Sequence, residues 1–263
     1  MKHSLIASAI LFSSLTLDSR GAVSSQIGDL IVAFREKDNS VAFNLEVDLG
    51  PVINLLALPA GAVVSLNLGG AYFGNTRGLS AQDLRDVFGE GGTDNTAWNG
   101  DTALAFNAFA TNGAAGGNTL FLTAPAGSIL PRSSSSGQQG TAGRINTISG
   151  TLNGSTALIS PQSASIDSSL GGSYSTQYRG GNPGTLTKDW NQFTVLTETS
   201  VVGTGTATTS LYRLTAGAGA GEEIGRFSLD PNGTLTYLSL VPEPVTGAML
   251  AIGGAILMGR RRR

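Results

Sequence analysis

The chain has 263 residues, 37 of them Gly, with 13% charged residues, no Cys, a single His and a formal net charge of −2. Without Cys there is no disulfide, thiolate nucleophile or Cys-ligated zinc. His3 falls in a segment read below as a leader, so the mature chain is expected to lack imidazole catalysis, His-based metal sites and proton shuttles.

The first segment reads as a secretory leader, residues 1–24. Lys2 precedes an apolar run from Leu5 to Leu17, and small residues follow at Ser19, Gly21, Ala22 and Ser24. Thirteen helical residues span about 20 Å, short of the roughly 30 Å hydrocarbon core, which suits a cleaved signal peptide. Ala22-Val23-Ser24 is a cleavage signal, and Ser19-Arg20-Gly21 competes with it.

Strand patterning follows. Leu30 to Phe34 is a short apolar run. Val41, Phe43, Leu45, Val47 and Leu49 alternate with Ala42, Asn44, Glu46 and Asp48, the mark of a half-buried strand. Lys37-Asp38-Asn39-Ser40 turns the chain between them, predicting a hairpin. Val64, Leu66 and Leu68 form a third strand ending at Gly69-Gly70. A helix is predicted from the Ser80 cap, Asp83, the Leu84, Val87 and Phe88 face, and a Gly89 stop.

Strands resume at Leu104 to Phe109 and Thr119 to Thr123. Residues 124–187 read as a Ser/Gly-rich insertion, with a short helix along Ile145, Ile148 and Leu152 weakened by Gly150 and Gly154. Further strands are predicted at Phe193 to Leu196, Ser210 to Leu214, Ile224 to Leu229 and Thr234 to Leu240. The last two join through Asp230-Pro231-Asn232-Gly233, a tight turn. The expected domain, residues 25–240, is mostly β: an antiparallel β-sandwich with one or two short helices. A β-solenoid is the alternative, although no fixed repeat is visible.

The C-terminus has three ordered parts. Pro242, Glu243 and Pro244 break the chain, and an apolar segment follows from Val245 through Leu250, Ile252, Ile256, Leu257 and Met258. Arg260, Arg261, Arg262 and Arg263 form a basic stop, which places the preceding chain on the far side of the membrane. The 14-residue run reaches about 21 Å as a helix, enough for a transient or thin-membrane segment. Residues 241–263 resemble a PEP-CTERM sorting domain of Gram-negative bacteria. That resemblance implies recognition and tail removal by an exosortase-like membrane protease, with delivery to the cell surface or exopolysaccharide matrix. Asp29 to Arg35, Asp48 to Gly50, Val87 to Gly89, Leu211 to Leu214 and Gly225 to Leu229 also resemble secreted PEP-CTERM proteins of Verrucomicrobia-like bacteria. That group adds no catalytic residues.

Removing Lys2, Arg20, Arg260 to Arg263, Asp18 and Glu243 leaves 10 basic against 16 acidic residues, so a core of charge −6. Such a core is poorly suited to nucleic acid, which needs clustered Lys or Arg. No cofactor is predicted: neither Gly203 and Gly205 nor Gly217, Gly219 and Gly221 belong to a phosphate-binding strand-loop-helix. Asp94-Asn95 with Asn99-Gly100-Asp101 has oxygen ligands suited to calcium in kind, but reads better as an Asx-turn loop, and no metal is assigned. Trp98 and Trp190 are the candidate faces for stacking on sugar rings, core packing being the commoner use. Asp83, Asp86, Glu90, Asp94 and Asp101 are the acids available to a hydrolase, with Asp83 and Asp86 reading as a solvated helix face.

The expected function is therefore a non-catalytic, exported surface or exopolysaccharide-associated protein. Its expected partners are the exosortase-like enzyme, the membrane through the C-terminal helix, and an exopolysaccharide. A carbohydrate-binding, adhesive or ice-binding module is the alternative, and a secreted acid glycoside hydrolase the third reading.

Overall fold

A computed structural model describes residues 22–38, 41–69, 72, 77–89, 97–112, 119–160, 162–179, 190, 196–201 and 205–240. The predicted leader up to residue 21 and the sorting segment 241–263 lie outside the described residues.

The apolar run at Leu30 becomes β1 (Asp29–Glu36), and the alternating segment becomes β2 (Phe43–Pro51). They pair antiparallel, with Phe34 opposite Leu45 and Val32 opposite Val47. A one-turn helix α1 (Ile53–Leu56) follows, then β3 (Val63–Ser65). β3 is shorter than expected because Asn67 leaves the strand pattern. Its side-chain amide donates to the carbonyls of Leu79 and Gly233 and its oxygen accepts from Leu235 N–H.

α2 (Ala81–Phe88) forms where its cap predicts. Ser80 Oγ accepts from Asp83 N–H at 3.1 Å, and Asp83 Oδ2 accepts from Ser80 N–H at 3.2 Å. This reciprocal box gives both first-turn amides a side-chain acceptor. β4 (Leu104–Thr111) and β5 (Thr119–Pro125) follow.

Residues 124–187 hold more regular structure than the weak pattern indicates. They include α3 (Ser135–Leu152), β6 (Leu158–Ser160), β7 (Ser163–Asp167) and α4 (Tyr174–Arg179). α3 passes through Gly137, Gly140, Gly143 and Gly150 before ending ahead of Gly154. Each interior Gly costs about 1 kcal/mol relative to Ala. Burial of Ile145, Ile148 and Leu152 offsets this, at roughly 1.5–3 kcal/mol per large apolar side chain.

The strand predicted at Phe193 to Leu196 falls mostly outside the described residues. Leu196 itself is exposed, and the strand found here is β8 (Thr199–Ser200). β9 (Ala207–Thr215), β10 (Glu222–Leu229) and β11 (Leu235–Ser239) complete the chain. The predicted hairpin turn closes β10 onto β11. Gly233 N–H donates to Asp230 C=O at 3.0 Å, while Asp230 Oδ1 accepts from Asn232 and Thr234 N–H.

The fold is mostly β and antiparallel, as expected, and the described residues hold four helices, of which α3 is longer than the one or two short helices expected. Instead of two separate sheets, one sheet runs β3-β11-β10-β9-β5-β4-β1-β2-β7-β6 and curls, with β8 beside β4. Inside the curl, Phe34, Leu45, Val47, Phe106, Phe227 and Tyr237 meet Leu84 and Phe88 of α2. On the outer face, Ile31, Ala33, Phe109, Leu120 and Leu122 pack under α3 and α4. The central strands are thus covered on both sides.

Candidate functional site

The double cover has a chemical consequence. Asn44, Glu46 and Asp48, the polar positions of β2 expected to face water, are all fully buried. The half-buried reading of β2 is therefore corrected: α4 lies over its outer face, with Tyr174 and Ser175 bonding Glu46 and Asn44. Buried polar groups need partners, and here they form a stripe with Arg35 and Asp29 of β1.

At one end of the stripe, Arg35 Nε and Nη2 donate to Glu198 Oε1 and Oε2 at 2.5 and 2.6 Å. Tyr174 O–H donates to the same carboxylate at 2.8 Å. The Arg35 guanidinium lies 5.1 Å from the Tyr178 ring centroid, a cation–π contact. Phe109, Tyr174, Tyr178 and Trp190 pack together around it, with Trp190 at 5.1 Å and 72° to Phe109. This end is closed: Glu198 takes Arg35 Nε and Nη2, while Arg35 Nη1 and Trp190 Nε1 have no hydrogen-bond partner among the described residues. Beside it, Ser175 O–H donates to Asn44 Oδ1 at 2.6 Å.

Glu46 sits mid-stripe. Tyr174 N–H donates to its Oε1 at 2.8 Å, and Oε2 has no partner. Burial pushes its carboxyl up to about 8, against the opposing pull of that amide. It is therefore mostly protonated at neutral pH.

The other end opens to solvent. Asp48 Oδ1 accepts from Gly50 N–H at 2.5 Å and from Arg77 Nη1 at 3.2 Å. Arg77 Nη1 also lies 3.7 Å from Asp29 Oδ2. Burial, aided by the Asp29 charge, raises Asp48 to about 7, while the Gly50 amide and Arg77 oppose the rise. Gly50 adopts φ +78, and a Cβ there would sit 2.7 Å from Arg77 Nη1, so Gly permits the guanidinium to lie across the strand end. A β-bulge between Asp29 and Ile31 re-aims Asp29 at the same point. Here the ends of β2, β1 and β4 frame a cavity of about 330 Å³, lined by Ile27, Asp29, Val52, Ile53, Arg77 and Thr111 among others.

The site residues read from sequence fall elsewhere. Trp98 is 4% exposed inside the curl and Trp190 is 0% exposed in the outer cluster, so neither presents a ring for sugar stacking. Their large apolar area is used in the core. Asp83, read as part of a solvated face with Asp86, is buried, and Ser160 and Ser163 hydroxyls donate to it at 3.2 and 3.1 Å. Asp86 is exposed. Asp101 is buried and accepts from Ala103 N–H at 2.6 Å, an Asx-type turn leading into β4. Glu90, Asp94 and Asn95 lie outside the described residues, as do Pro242 to Pro244, the Val245 to Met258 run and Arg260 to Arg263.

The sequence reading missed Arg35, Glu46, Asp48, Arg77 and Glu198. One signal was present: the unbroken apolar run of β1 marks a strand covered on both faces, and its hairpin partner is then central as well. Among the described residues, no helix is long and apolar enough to cross a membrane, and no three acidic or His side chains are grouped to hold a metal. No family model matches this chain, and no curated protein or solved structure matches it either.

Proposed function

We propose that this chain is an exported, non-catalytic surface or matrix protein, sorted through its C-terminal segment by an exosortase-like protease. The observation that carries the reading is the ordered terminus: Pro242-Glu243-Pro244, a 14-residue apolar run, and four terminal arginines. A helix of about 21 Å ending in a basic stop suits insertion followed by removal. The stripe supports a structural use of the core acids. Glu198 is tied to Arg35, Asp48 to Arg77 and Gly50, and Asp83 to its cap and two hydroxyls. A glycosidase instead needs two carboxyls flanking a substrate, one free to donate a proton to it.

Fractionation of the native organism, with C-terminal sequencing of the mature protein, tests this. The outer fraction is expected to hold a chain cut near Pro242 and lacking Arg260 to Arg263. An intact arginine tail in that fraction overturns the sorting reading. A saccharide-binding role for the core is the second reading, favoured by the open cavity at Asp29 and Arg77.

A further inference from the structure

We propose that the cavity at the β2, β1 and β4 strand ends binds a neutral hexopyranose unit. In it, Arg77 and Asp29 recognise ring hydroxyls while Ile27 and Ile53 support the apolar ring face. This deepens the surface-protein reading by giving the displayed core a ligand class, and rests on its saccharide-binding form.

Size comes first. A volume of about 330 Å³ lies at the small end of the roughly 300–1,000 Å³ range of ligand sites. Chemistry narrows the class. Among the described residues, Arg77 is the only basic side chain lining the cavity, and Asp29 and Asp48 already face it. A phosphate or uronate would bring a further negative charge to a site with two carboxyls and one guanidinium. A small cation would meet Arg77 at the same point. A vicinal diol meets neither penalty, because each hydroxyl both accepts and donates. Arg77 uses Nη1 on the aspartates, which leaves its other N–H groups as donors. Asp29 Oδ2 takes Gln26 N–H at 2.9 Å, and the same carboxylate lines the cavity beside Arg77.

The rim supplies the remaining feature. Ile27 and Ile53 are 56% and 63% exposed, two large apolar side chains at the mouth of a polar pocket. Exposed apolar surface beside convergent polar groups marks a ligand groove. Asp29 stands at the bulged end of β1, and Arg77, in the segment ahead of α2, is tied to it and to Asp48 across the Gly50 turn.

The test uses the purified full chain and titration calorimetry, with saturation-transfer NMR, against cellobiose, maltose, lactose, glucuronate and glucose 6-phosphate. At least one neutral disaccharide is expected to bind with a Kd on the order of millimolar. Ile53→Ser, at an exposed position, is expected to weaken it about fivefold. Arg77→Lys, which keeps the charge but loses the planar fork, is expected to weaken it about tenfold. Thermal melts confirm that both variants fold. The proposal is overturned if no neutral disaccharide binds at about 50 mM. Binding that survives both substitutions, or tighter binding of glucuronate, also overturns it. C-terminal processing is read separately, so a processed chain that binds no saccharide sinks this proposal alone, and an unprocessed chain that binds sinks the sorting reading alone.

Discussion

Glu46→Gln isolates the energetic consequence of the buried stripe. Glu46 is wholly buried on β2, with one oxygen on Tyr174 N–H and the other without a partner. Its pKa rises from 4.5 to about 8 on folding. Because the folded state holds the proton more tightly, native Glu46 stabilises the fold fully below pH 4.5. That contribution falls as pH rises and is gone above about pH 8. At 1.36 kcal/mol per tenfold change, the loss across this window is about 5 kcal/mol. That is comparable to the whole stability of a small domain, about 5–15 kcal/mol. Gln keeps the Oε1 acceptor and the shape but cannot ionise. Urea unfolding at pH 5 and pH 8 is the assay. The variant is expected to match the native chain at pH 5 and to exceed it by several kcal/mol at pH 8. Asp48, raised to about 7, acts in the same direction in both proteins and cancels in the comparison. Parallel stability curves for the two proteins from pH 5 to pH 8 would refute the burial argument.

Glu198→Ala strands the Arg35 charge under Tyr178 and is expected to cost about 3–5 kcal/mol in denaturant unfolding. Replacing both partners, Arg35→Met with Glu198→Leu, should cost less than the single change, and a larger loss in the double variant would contradict this. Asp83→Ala removes the α2 capping box and the acceptor for Ser160 and Ser163, an expected loss of about 1–2 kcal/mol by thermal melts. An unchanged Tm would show that the cap is dispensable. Val23 is 1% exposed, its C=O accepts from Gly154 N–H, and Ser25 bonds Ser149. A leader cut after Ser24 would remove the Val23 half of this anchor and keep the Ser25 bond, so N-terminal sequencing of the mature chain is expected to place its start upstream of Val23, at the Ser19-Arg20-Gly21 signal. A mature chain starting at Ser25 would contradict that placement.

Much of the sheet was legible in local sequence. β1, β4, β5 and the β10–β11 hairpin follow from short apolar runs and from an Asp-Pro-Asn-Gly turn whose backbone preferences are intrinsic. α2 follows from Ser80 and Asp83, because a capping box is a local device spanning four residues. α3 was only partly legible: its glycines hide a helix that tertiary burial holds together.

The candidate site needed the tertiary structure. Alternation along β2 reports that its two faces differ; it does not report whether the polar face meets water. The answer comes from Tyr174 and Ser175 of α4, which bond Glu46 and Asn44 from about 130 positions further along the chain. Arg35 likewise finds Glu198 across 163 positions. Arg77, an isolated arginine in sequence, becomes part of a charged pair at a cavity only when β1 and β2 bring Asp29 and Asp48 together. Local pattern determined where strands and turns form, because backbone preference and hydrophobic period act over a few residues. Burial, pairing and the shifts in Glu46 and Asp48 were decided by segments distant in sequence, because dielectric surroundings belong to the packed molecule.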